Sequence, residues 1–199
     1  MPDKFKNRYR IASSRLRNWD YSSKGAYFIT ICTRQRRHYF GQIINCEMQL
    51  SPVGQHAYEC WLAIPDHFPH FYLDAFQIMP DHVHGILVIE KPFVNKGFDA
   101  AETGHVAAET GRVLSLLPQG NVDKQAAKQH FRFRNQGKNT ISAAVGSSKA
   151  VVTKYCNENQ FAFGWQTRFH DHIIRNAEEF HAIRNYIIHN PRNWKHDGF

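Results

Sequence analysis

His82 and His84 flank Val83 at the start of an apolar run, HVHGILVIE (82–90). On a strand, side chains two apart project from the same face, so both imidazoles point one way and Val83 the other. Two imidazoles side by side on a rigid strand can begin a divalent metal site, although two neighbouring histidines are also a common sight on solvated surface. Near the other end of the chain, Tyr186 and Asn190 stand four apart, one turn from each other on one face of a helix. Tyr186 offers a phenol that can act as a nucleophile, and Asn190 a neutral oxygen ligand beside it. The plain alternative is a half-buried helix aromatic followed by a C-terminal cap.

Both features have rivals. His170-Asp171-His172 is a second histidine pair at the same spacing on a predicted strand. Its middle residue is charged, so the opposite face must be wet or Asp171 must find a partner. This pair is therefore placed behind the metal ligands or against DNA, with an alternative metal role kept open for His170 and His172. Tyr155 and Asn159 copy the Tyr-x-x-x-Asn spacing on the preceding helix. Tyr155 falls on the apolar stripe of that helix and Asn157-Glu158-Asn159 reads as its end, which makes Tyr155 the weaker, alternative nucleophile. The four cysteines (Cys32, Cys46, Cys60, Cys156) form no CxxC pair, against a zinc ribbon or a disulfide scaffold.

The elements that must position these residues follow from periodicity. GAYFITICTR (25–34) alternates and is β-branched or aromatic, a strand closed by the basic cluster Arg34 to Arg37. Ser51-Pro52 predicts a helix start; Val53, Ala57, Cys60, Trp61 and Ile64 form its stripe, and Pro65 is expected to end it. FYLDAFQIM (71–79) and HVHGILVIE (82–90) read as a hairpin turning at Pro80-Asp81. A helix is predicted from Asn139-Thr140 to about Cys156, and a strand over RFHDHIIR (168–175). The last helix is expected to start at Asn176, with Glu179 completing a capping-box-like pair, and to stop at Asn190-Pro191. The order β-α-β-β-α-β-α predicts an α+β fold, a ferredoxin-like antiparallel sheet with packed helices.

At 199 residues with 42% hydrophobic content, the chain has room for one domain and a real core. Residues 1–22 read as a basic arm, and 23–199 as one domain interrupted by a polar insertion at about 91–138. That insertion carries a tandem duplication, AAETGHV (100–106) then AAETGRV (107–113), whose glycines and few apolar positions argue against a coiled coil. No apolar run is long enough to span a membrane, and the N-terminus lacks the apolar stretch of a signal peptide, so a cytoplasmic location is expected. The net charge of +8 points toward polyanions.

Several of these segments together resemble one family. MPDHVHGILVI (79–89) is similar to the His-hydrophobe-His motif of the HUH single-tyrosine transposases. WQTRFHDHIIRNAEEFHAIRNYIIHNPRNW (165–194) resembles the tail of their REP-associated tyrosine transposase subgroup. YSSKGAYFITICTRQRRHYFG (21–41) and SSKAVVTK (147–154) resemble it as well, so the likeness spans the chain apart from the arm and the insertion. The resemblance implies that His82 and His84 are metal ligands on a central strand, that Tyr186 on the C-terminal helix is the nucleophile, and that Asn190 is the third ligand. It implies a magnesium or manganese ion as cofactor, with zinc a possible competitor for such a site. It also implies single-stranded or hairpin DNA as partner, a monomer or homodimer, and nicking and rejoining through a 5′-phosphotyrosine. Arg34, Arg36, Arg37, Arg175 and the basic arm are candidate phosphate contacts. Bound to DNA, such a protein would sit with the nucleoid. Two other classes stay open beside the transesterase: a binding module without chemistry, and a hydrolytic metallonuclease that does not use the tyrosine.

Overall fold

The computed structural model of the chain describes residues 4–5, 8–9, 19–90 and 139–194. The 91–138 insertion with its duplicated heptapeptide, and the rest of the basic arm, lie outside the described residues. Within the arm, Lys4–Phe5 (β1) and Arg8–Tyr9 (β2) pair antiparallel, strands of two residues that are too short to leave any periodicity.

Gly25–Cys32 (β3) is the alternating run read as the first strand. A small hairpin that periodicity did not reveal follows it, Gly41–Ile44 (β4) and Glu47–Leu50 (β5). Its turn, Asn45-Cys46, has φ of 51° and 64°. Left-handed backbone at both positions suits the twist of a two-residue hairpin turn, and Asn tolerates it better than most residues. Ser51 then caps Pro52–Leu62 (α1), its hydroxyl accepting from the Gly54 N–H at 3.0 Å. The expected stop at Pro65 is displaced. The helix ends at Leu62, and Pro65 lies in the first turn of a separate short helix, Ile64–His67 (α2), where a missing N–H leaves no bond unmade.

Phe71–Met79 (β6) and His82–Ile89 (β7) form the predicted hairpin over Pro80-Asp81, with a bulge between Leu73 and Phe76. Thr140 caps Ile141–Glu158 (α3) by accepting from the Ala143 N–H, and His170–Ile174 (β8) follows. Asn176 caps Ala177–Asn193 (α4), its side-chain oxygen accepting from the Glu179 N–H at 2.8 Å. The Glu179 carboxylate reaches back to the Arg175 N–H rather than to that of the cap residue. The helix was expected to stop at Asn190-Pro191 and instead continues to Asn193. A proline in the last turn forfeits one donor and leaves few later bonds to disturb.

The sheet order is β6-β7-β3-β8 with every neighbouring pair antiparallel, the ferredoxin-like arrangement. Each crossover, β3 to β6 through α1 and β7 to β8 through α3, lands on the same face. There Tyr27, Ile29, Ile31, Val83, Leu87 and Ile173 of the sheet meet Trp61, Ala57, Val145 and Val152 of the helices. Helix α4 covers the opposite face, where Ala26, Ile86, Val88 and Ile174 meet Phe180 and Ile187. With a helical layer on both sides, all eight residues of β7 are buried. Among the described residues, no helix is long and apolar enough to cross a membrane.

Gly85 on β7 marks a close approach of side chains in the larger core. A Cβ there would lie 2.6 Å from the Phe76 Cβ and 3.1 Å from the Trp61 ring. Gly85→Ala is therefore expected to cost about 1–3 kcal/mol by overpacking. Urea denaturation measures it, and an unchanged midpoint would show that β6 can yield at no cost.

Candidate active site

Register brings the site together. On β3 and β7 the pairs Cys32↔His82 and Thr30↔His84 face each other, and the even-numbered side chains of both strands point toward α4. His82 is 6% exposed and His84 1%, with their rings 4.8 Å apart between centroids. Helix α4 lays one stripe over them. The Tyr186 ring stands 5.5 Å from that of His84 and edge-on to Phe28 at 6.3 Å. Two turns further on, the Trp194 ring stands 6.0 Å from that of His82. Asn190 lies midway between them on the same stripe and is buried. Tyr186 itself is 52% exposed. The helix is held by Phe180 and Ile187 in the smaller core and by Arg184, whose Nε donates to Asp74 Oδ1 of β6 at 3.0 Å. Phenol and imidazoles thus meet within one chain.

The imidazoles differ in their partners. His84 Nε2 is buried with no hydrogen-bond partner among the described residues. Burial, with the neighbouring His82 adding to it, pushes the His84 pKa down to about 3, so the ring is neutral. His82 has its Nδ1 at 2.6 Å from Asp81 Oδ1. A carboxylate there takes the ring proton on Nδ1 and leaves the lone pair on Nε2. The other Asp81 oxygen accepts from Arg36 Nε at 2.8 Å. Arg36 comes from a turn in which Gln35 and Arg36 have φ of 58° and 55°, a conformation that costs about 1–3 kcal/mol per residue and has to be held by its surroundings. The Thr33 N–H donates to the Asp81 carbonyl at 2.8 Å, the Arg34 N–H to the Gly164 carbonyl at 2.7 Å, and the Phe40 N–H to the Pro80 carbonyl at 3.1 Å.

Among the described residues no cluster of three or more His, Cys, Asp or Glu side chains is placed to hold a metal. What the face under α4 offers instead is two imidazoles, that of His84 neutral, with Asn190 on the helix above them. An orphaned, buried, neutral imidazole nitrogen beside a second imidazole whose tautomer also offers a nitrogen lone pair fits a divalent cation.

The other candidate residues lie elsewhere. Arg34 and Arg37 are exposed on the turn after β3, at the end of the strand that meets His82. Arg36, a candidate phosphate contact from the sequence, is exposed as well, while its Nε donates to Asp81 and its Nη1 lies 2.9 Å from the Cys32 Sγ. Arg175 lies at the far end of the sheet, just past the Ala26↔Ile174 pair, about 20 Å from His82 at the usual rise along a strand. His170 and His172 share the sheet face of the first pair, across β3. His170 is exposed, two strand spacings (about 10 Å) from His84. His172 Nε2 is held by Glu179 at 2.6 Å, where it ties β8 to the first turn of α4. Asp171 between them is buried toward the larger core, so that face is not wet. Tyr155 stacks on His56 at 4.1 Å, beside the larger core on the opposite face of the sheet, and Asn159 caps α3 through the Tyr155 carbonyl. Sequence reasoning passed over Asp81, Arg36 as its partner, and Trp194. Two of these left a signal: Asp81 adjoins His82, and Trp194 continues the 186–190 spacing by one more turn.

The ferredoxin-like sheet with its packed helices has a counterpart among solved structures. The structure of a REP-associated tyrosine transposase bound to a REP hairpin matches 92% of this chain and 74% of that one, with a TM-score of 0.52 and 18% identity. The chain has the REP-associated tyrosine transposase fold. It belongs to one family with an uncharacterized protein of Haemophilus influenzae, to which it is 35% identical over 191 residues, 93% of this chain and 90% of the relative. No family model matches the chain.

Proposed function

We propose that this protein cleaves and rejoins single-stranded DNA by transesterification at Tyr186, as a metal-dependent transposase-type enzyme acting beside hairpins. The observation that carries the reading is the Tyr186 ring standing 5.5 Å from His84, whose Nε2 is buried, neutral and without a hydrogen-bond partner among the described residues. His82 and His84, each through Nε2, and Asn190, through its amide oxygen, would hold a magnesium or manganese ion. A cation so held supplies charge stabilisation to the phosphate oxygens and to the departing 3′-oxygen. The rest falls to the chain. The Tyr186 oxygen attacks phosphorus in line, its bond to phosphorus forms as the P–O3′ bond breaks, and the proton shed by the phenol is balanced by the one gained at the 3′-hydroxyl. The products are a 5′-phosphotyrosine and a free 3′-OH, so the bond is exchanged rather than spent on water, and reversal rejoins the strand.

Exposure of Tyr186 suits a polymeric substrate, and Arg34 and Arg37 line the approach beside His82 as phosphate contacts. The hairpin preference is taken from the fold relative, which was solved bound to a REP hairpin. A hairpin-flanked, end-labelled single strand incubated with manganese and run on a denaturing gel tests the reading. The expected product is a covalent, protease-sensitive protein–DNA adduct. Cleavage that leaves a free 5′-phosphate and no adduct would make the protein a hydrolytic nuclease. Binding without any cleavage would make it a DNA-holding module. On the far face of the sheet, Tyr155→Phe is expected to leave adduct yield within about twofold of the wild type in the same assay, since the ring that stacks on His56 stays and only a hydroxyl remote from Tyr186 and His84 is lost.

A further inference from the structure

We infer that Asp81 and Arg36 form a positioning relay that holds His82 in the single tautomer able to ligate a divalent cation. This rests on the reading of His82 as a ligand. Asp81 is 3% exposed, and its two carboxylate oxygens are committed in different directions, Oδ1 to His82 Nδ1 at 2.6 Å and Oδ2 to Arg36 Nε at 2.8 Å. Its backbone is pinned as well: the carbonyl accepts from the Thr33 N–H at 2.8 Å, with the Thr33 hydroxyl at 2.9 Å. Neither the carboxylate nor the peptide can turn away.

An imidazole has one proton to place when neutral. An acceptor at Nδ1 draws the proton there and leaves Nε2 for a metal, and the bond also sets the plane of the ring. At 6% exposure His82 has little access to water that could do the same. Arg36 completes the arrangement, since a buried carboxylate needs a counter-charge. The left-handed turn at Gln35-Arg36 brings the guanidinium back over the end of β3, where Nη1 also meets the Cys32 Sγ at 2.9 Å. A lysine would offer no second donor in that fixed plane.

Asp81→Asn tests the relay because the amide is the same shape but has one acceptor. Arg36 can only donate, so the amide oxygen must turn to Arg36 and the NH2 to His82, which moves the ring proton to Nε2. Long-range proton–nitrogen correlation spectra of the metal-free full-length protein read this directly: Nδ1–H for His82 in the wild type, Nε2–H in the variant. Manganese affinity by calorimetry should fall about 10- to 100-fold. Adding Arg36→Met to Asp81→Asn frees the oxygen to turn back to His82, and should restore the Nδ1–H tautomer and part of the affinity. Residues that only propped the fold would give losses that add. An unchanged tautomer in Asp81→Asn, or no recovery in the double variant, overturns the relay. Should the wild type take up no manganese, the metal reading fails, while the tautomer spectra still decide the relay.

Discussion

Tyr186→Phe is expected to abolish the covalent DNA adduct and to lower strand cleavage by on the order of 10³-fold or more, with the fold unchanged. The phenylalanine keeps the ring that packs edge-on to Phe28 and against His84, and loses only an oxygen on a side chain that is half exposed. Stability should therefore stay within about 0.5 kcal/mol of the wild type. The loss of rate is large because no other group can take the place of a missing nucleophile. Tyr155, the alternative nucleophile, lies across the sheet beside His56. Thermal melts and adduct yield on the same preparations make the measurement. Substantial cleavage in the variant would move the chemistry to an activated water and overturn the transesterase reading.

His84→Leu should separate function from stability with opposite signs. Manganese uptake, measured by calorimetry, and adduct formation are both expected to vanish, because one of the three proposed donors is gone. The metal-free protein should nevertheless become more stable. A buried polar atom without a hydrogen bond costs about 1–3 kcal/mol, and an apolar replacement of similar shape removes that cost. The surroundings suit it, since Phe28 packs near the ring and Ile86 is the next residue on the same strand face. A gain of 1 kcal/mol corresponds to a rise of about 2–4 °C in Tm for a chain of this size. A falling Tm with the fold intact would mean that Nε2 has a partner in the protein. Retained manganese binding would mean that His84 is not a ligand.

Both outcomes depend on how β7 is buried. It is the strand whose side chains are enclosed on both faces, so a polar group on it is kept at a cost to stability. The pairing of a costly imidazole on β7 with an exposed phenol on α4 is what a binding site requires: a dry floor and an open mouth.

Much of this architecture is local in origin, and that part could be read from residue order. The alternation of 25–32, the apolar run of 82–89, the caps at Ser51, Thr140 and Asn176, and the order of strands and helices depend on residues near one another in the chain. The ferredoxin-like sheet follows from them with few alternatives. Elements too short to show a period escaped, namely β1, β2, α2 and the β4–β5 hairpin. Proline positions misled at two ends, Pro65 and Pro191, because its effect depends on how much helix follows it.

The candidate site divides along the same line. Which side chains share a face was settled by residue order: His82 with His84, Tyr186 with Asn190, and His170 with His172. Which faces meet was settled only by register and packing. The Thr30↔His84 and Cys32↔His82 pairs, the choice of the second sheet face by α4, and the salt bridge from Arg184 to Asp74 bring Tyr186 over one histidine pair and tie the other to Glu179. The same packing sets the Arg36 guanidinium against Asp81, and carries Arg175 to the opposite end of the sheet. Periodicity is a property of one segment, whereas a site made by three segments exists only after the chain has paid the entropy of closing the loops between them.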